Sequence, residues 1–123
     1  MPLPEWHQLE GGVSSALASV ECHRTLDRLW RIGDLSDEKL AMKRAETLAI
    51  LNRLHTVPIA DFIVDGACKP FPSVLGALDA IHLATALAYR RAQPEDERPI
   101  LFATHDKQLA RAAAALNFEV VGI

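Results

Sequence analysis

Leu78-Asp79-Ala80-Ile81-His82-Leu83-Ala84-Thr85-Ala86, followed downstream by Phe102-Ala103-Thr104-His105-Asp106, is the stretch that decides how the rest of the chain reads. Ala77, Ala80, Ile81, Ala84, Leu87 and Ala88 recur at helical spacing, which predicts a helix over about Ala77 to Arg91 with one apolar face. Ile100 to Thr104 is a continuous apolar run and predicts a strand buried on both faces. Asp106 follows it directly and opens a helix through about Leu116, carried by Leu109, Ala110, Ala113 and Leu116. Asn117 suits the end of that helix, and Phe118 to Val121 predicts a last strand. Strands alternating with helices point to an α/β fold around a mostly parallel sheet.

Working outward from this core, Gln93 to Pro99 is a polar loop, and Gly66 to Gly76, with Pro70 and Pro72, is another. Asp61 to Ala67 predicts a helical turn or two. Val57 to Ala60 predicts a short strand, with Pro58 at its start or on an edge. A helix is expected from about Ser36 to Leu54, capped by Ser36, with Asp37 and Glu38 in its first turn and an apolar stripe of Ala41, Ala45, Leu48 and Leu51. Another is expected from about Ser15 to Arg31, with Ala18, Cys22, Leu26, Leu29 and Trp30 on one face, Ser14 or Ser15 as cap and Gly33 as stop. Val13 and the serines after it read as a very short strand or a helix entry. The first twelve residues read as an irregular lead-in in which Trp6 and Leu9 can form one turn.

Composition sets the bounds. The 123 residues are 50% hydrophobic and 24% charged, enough apolar material for a buried core and of a length that predicts a single domain over 1–123. The 13 Lys and Arg against 16 Asp and Glu give a formal charge of -3, which excludes a strongly basic coat but leaves room for a local basic patch. No apolar run approaches the roughly 20 residues that span a bilayer, no secretory leader is read, and no membrane role is expected. Cys22 and Cys68 make no CxxC motif, so a disulfide scaffold is excluded and a reduced, cytoplasmic setting is the simpler expectation.

Three acids stand out by their neighbours: Glu21 inside the first helix, Asp79 at the start of the Ala-rich helix, and Asp106 just beyond a strand. In open α/β sheets, ligands bind beyond the carboxyl ends of strands, where Asp106 is expected. If the three converge, their mutual repulsion calls for a hard divalent ion such as Mg²⁺, which activates water and stabilises a phosphate in transit. Each acid also has a purely structural reading. Asp106 serves as an N-cap, Asp79 complements a helix N-terminus, and Glu21 is solvated on a polar face. His82 lies one turn past Asp79 and reads either as a hydrogen-bonded structural histidine or as a ligand or base. His105 is expected to point away from Asp106 if strand geometry persists. Arg24, Arg28 and Arg31 form a basic stripe suited to a phosphate backbone, or a solvated face with an Asp27–Arg31 pair. The sequence has no HExxH, G-x-S-x-G or Gly-rich phosphate loop.

The Leu78–Ala86 and Ala103–Asp106 motifs, with Val13-Ser14-Ser15-Ala16-Leu17-Ala18-Ser19-Val20-Glu21 upstream and Leu116-Asn117-Phe118-Glu119-Val120-Val121 at the close, resemble the PIN-domain family. Within it they look most like the VapC-type toxins of bacterial toxin-antitoxin modules. The resemblance runs from about Trp6 onward. It implies a three-layer α/β/α sandwich and an endoribonuclease that cleaves RNA with a carboxylate-bound Mg²⁺ or Mn²⁺. By position, Glu21, Asp79 and Asp106 match the second, third and fourth acids of the family's metal-binding quartet. Thr104 matches a supporting hydroxyl, and Arg24 and Arg28 become candidate RNA backbone contacts. A homodimer and a cognate antitoxin protein are the implied partners. The family's first acid, at the end of an N-terminal strand in a motif like Leu-Asp-Thr-Ser-Ala, has no match; Glu5 and Glu10 are the only acids before Glu21. The chain therefore reads as N-terminally truncated, lacking the first strand and most of the first helix. The alternative reading is a catalytically impaired PIN-like remnant that serves for dimerisation or antitoxin binding.

Overall fold

In the computed structural model the described residues are 11–94 and 100–123. Residues 1–10 of the expected lead-in, with Trp6 and Leu9, and the Glu95–Pro99 part of the polar loop lie outside them, while Gly12, read as lead-in, already belongs to a strand. Among the described residues the chain is α/β, with five helices and four short strands, and every strand pair is parallel. The expected sheet takes the form of two separate two-stranded ladders. They fall in two compact units, one spanning Gly11–Pro58 and the other containing Ile59–Ile123.

In the first unit, strand β1 (Gly12–Ser15) pairs in parallel with β2 (Leu54–Val57), from Gly12 opposite Leu54 to Ser15 opposite Val57. The Ala16 N–H carries the ladder one step further by donating to the Val57 carbonyl at 3.0 Å. Parallel strands cannot be joined by a tight turn, and helices α1 (Leu17–Arg31) and α2 (Asp37–Leu51) form the crossover. The Ser15 hydroxyl accepts from the Leu17 N–H at 3.3 Å and satisfies a donor at the start of α1. Gly33, at φ 88, turns the chain out of α1, and the Trp30 indole N–H donates to Asp37 Oδ1 at 2.7 Å, tying the end of α1 to the start of α2. Ser36 caps α2 as expected, accepting from the Lys39 N–H at 3.2 Å.

Several expectations need correction here. The helix ends at Leu51 and the strand is Leu54–Val57 rather than Val57–Ala60. Asn52 closes the helix three residues early, and Pro58, with no N–H to donate, ends the strand instead of starting it. The covered line of α2 is Leu40, which is buried, with half-buried Thr47 and Leu51, whereas Ala41, Ala45 and Leu48 are exposed. The face turned inward is about one residue, or ~100°, from the one the apolar spacing suggests. Helix α1 buries no residue fully; Leu26 and Leu29 are half-buried, and Cys22 and Trp30 are exposed.

The second unit holds the main core. Helix α3 (Asp61–Ala67) is where it was expected, and it packs on α4 (Ala77–Ala92). Strand β3 (Leu101–Ala103), helix α5 (Lys107–Ala115) and strand β4 (Glu119–Val121) form a βαβ unit with Phe102 opposite Val120. Leu83 of α4, Phe102, Leu109, Ala112, Ala113 and Phe118 make one buried cluster. Ala112 and Ala113 are fully buried, since a methyl lets the α5 backbone approach its neighbours closely. The rings of Phe102 and Phe118 stand 5.6 Å apart at 48°. Arg90 lays its guanidinium 4.1 Å from the Phe118 ring centroid and donates to the Leu116 carbonyl at 2.8 Å, so α4 supplies a cation to the C-terminal end of α5. Asn117, at φ 69, turns the chain into β4, as its place after the helix suggested. Strand β3 is not buried throughout: Phe102 points inward while Leu101 and Ala103 are exposed, so one face only is covered.

Leu83 is wholly buried and Leu48 is 49% exposed. Leu83→Ala is expected to lower unfolding free energy by about 2–5 kcal/mol, and Leu48→Ala to change it by no more than about 0.5 kcal/mol. Urea denaturation of the two variants measures both.

Candidate functional site

Two of the carboxylates singled out in the sequence, Asp79 and Asp106, are set on helix starts. Asp106 is the N-cap of α5: its Oδ1 accepts from the Leu109 N–H at 2.9 Å. Its own N–H donates to Thr104 Oγ1 at 3.0 Å, and the Thr104 N–H donates to the Val121 carbonyl at 3.0 Å. The structural reading of Asp106 is therefore realised, and it does not exhaust the group. One oxygen is committed to the helix, and the side chain lies at the exposed carboxyl end of β3. Thr104 supports Asp106 directly, through its hydroxyl and through the ladder.

Asp79 stands in the first turn of α4, half-buried, after the N-cap Gly76. The helix dipole favours a negative charge there. Leu83, one turn past Asp79, and Leu109, one turn past Asp106, belong to the same buried cluster. Both acids thus sit about one turn, or ~5–6 Å along their helices, from a shared core. His82 is half-buried on α4 one turn from Asp79.

Glu21 lies on α1, half-buried, in the Gly11–Pro58 unit. The basic residues around it are partly engaged. Asp27 takes Arg31 at 3.0 Å and also Arg24 at 3.5 Å, so the solvated pair expected from spacing forms and recruits a second arginine. Arg28 makes no ion pair among the described residues and stays exposed.

Among the described residues, no group of three or more His, Cys, Asp or Glu is placed to hold a metal ion. Asp106 has one oxygen already committed to Leu109. Cys22 and Cys68 are free and exposed. No helix among the described residues is long and apolar enough to cross a membrane.

The contact that sequence reasoning missed is His105. Its ring reaches Gly122, with Nδ1 2.6 Å from that carbonyl oxygen, a partner 17 residues away that no local pattern signals.

Asparagine keeps the oxygen that caps α5 and removes the charge. Asp106→Asn is expected to leave thermal unfolding almost unchanged, whereas Asp106→Ala costs about 1 kcal/mol.

A family model described as PIN domain matches residues 3–115. No curated protein and no solved structure matches the chain.

Proposed function

The chain belongs to the PIN domain family, and from that premise we propose that it is an endoribonuclease of the VapC-like toxin-antitoxin type. PIN domains are generally nucleases acting on RNA or DNA, and their nucleases usually use divalent metal ions. The observation that carries the reading is the family match, which runs through both compact units and takes in all three candidate acids. In this reading residues 1–123 act as one domain, the ion is Mg²⁺ or Mn²⁺, and Glu21, Asp79 and Asp106 are the carboxylates assigned to it. Hard cations suit such oxygens. The chain's own contributions are the Asp106 carboxylate at the end of β3, held by the Leu109 N–H while Thr104 holds its backbone N–H, and exposed cations for the phosphate backbone, Arg28 with Arg24 beside it. The partners in this reading are an antitoxin protein and a second copy of the chain, in the cytoplasm.

A specific observation also favours a second reading, a catalytically impaired PIN-like module that binds without cutting. It is the Asp106 carboxylate, one oxygen of which is already committed to capping α5.

The deciding experiment incubates the purified chain with single-stranded RNA and MgCl₂, beside Asp106→Asn and Glu21→Gln. The nuclease reading expects cleavage by the wild type, a loss of at least about 100-fold in either variant, and abolition by EDTA. Equal survival of the RNA with wild type and variants would sink it and leave the binding module.

A further inference from the structure

The turn from β3 into α5 is held from both of its ends. On the strand side, the Thr104 N–H continues the ladder to the Val121 carbonyl. On the helix side, Asp106 accepts from the Leu109 N–H, and its own N–H is bonded back to Thr104 Oγ1. His105 stands between these anchors with its side chain exposed, yet its ring is engaged: Nδ1 lies 2.6 Å from the Gly122 carbonyl oxygen. A carbonyl oxygen only accepts, so Nδ1 carries the proton and donates. Gly122, at φ 97, occupies backbone space that glycine alone enters without strain, and it does so at the point where the chain leaves β4. The end of β4 and the turn that carries Asp106 are thus joined twice, once through the backbone of Thr104 and once through the imidazole of His105.

We propose that His105 is a positioning residue, whose Nδ1–H bond to the Gly122 carbonyl holds the β3–α5 turn against the end of β4 and so sets where the Asp106 carboxylate stands. Its meaning for catalysis rests on the nuclease reading; the tie itself is a property of the fold. Without the bond, the Thr104 ladder contact alone anchors that side of the turn. The turn then opens locally more often, while helix α4 keeps its protection.

The test follows amide hydrogen exchange in the full ¹⁵N-labelled chain, with RNA cleavage measured on the same samples. His105→Ala is expected to speed exchange at the Thr104 and Asp106 N–H groups by about fivefold or more, while the core amides of α4 keep their protection. His105→Asn places an amide N–H near the Nδ1 position and restores protection. His105→Gln, whose amide falls nearer the Nε2 position, does not. Long-range ¹H–¹⁵N spectra of the wild type are expected to show the ring protonated at Nδ1. In cleavage, His105→Ala lowers kcat with KM little changed, and His105→Asn recovers it. Should His105→Ala fail to fold, His105→Gln carries the comparison. Unchanged exchange at Thr104 and Asp106 overturns the proposal, and so does a wild type and His105→Ala that cut RNA equally well. If exchange responds as expected but the wild type cuts no RNA, the nuclease reading falls and the positioning of Asp106 stands.

Discussion

Two parallel strands cannot be closed by a turn of a few residues, and this constraint organises both units. Each ladder needs a chain segment that leaves one end of a strand and returns to the other end, and helices supply it. α1 and α2 carry the chain between β1 and β2, and α5 carries it between β3 and β4. The crossover places a helix start just past the carboxyl end of the preceding strand. Its unsatisfied N–H groups must then find partners there. Ser15 answers this need at α1 and Asp106 at α5, both through side-chain oxygens. A candidate catalytic acid at the end of β3 is thus also what the local backbone requires.

Packing follows from the same geometry. α5 must lie close to a ladder only two strands wide, and a two-stranded pair has little stability of its own. Ala112 and Ala113 permit the close approach, and Phe102, Phe118, Leu109 and Leu83 supply the apolar area around it. Arg90 completes the arrangement from α4, covering one face of Phe118 and meeting the last carbonyls of α5. The Gly11–Pro58 unit is built differently. It buries Leu40 and Ser15, ties its helix pair with a polar contact from Trp30 to Asp37, and caps α2 through Ser36. Its apolar residues are spread around α2, so no single stripe dominates that helix.

Much of this was legible in the residues themselves. Caps and stops are local chemistry, so Ser36, Asp106, Gly33 and Asn117 marked helix ends that the structure reproduces. The Ala-rich helix and the final βαβ unit were readable from periodicity and order. The strand before Pro58 was misplaced by three residues because an apolar run and a proline do not say on which side of the proline pairing occurs. The inward face of α2 was misread because several lines of apolar residues compete on that helix, and only the neighbouring α1 selects one. The Asp27–Arg31 pair followed from spacing, but the capture of Arg24 by the same carboxylate required side-chain conformations that spacing does not set.

The sequence by itself determined the α/β class, most of the helix ends, the family and the chemical character of the candidate residues, because these rest on local propensity, periodicity and motif order. The tertiary structure alone decided that the Thr104 N–H meets the Val121 carbonyl and that His105 reaches across to Gly122. These contacts depend on the parallel pairing of β3 with β4. That pairing aligns the ends of two strands separated by a whole helix, and no short-range pattern encodes it.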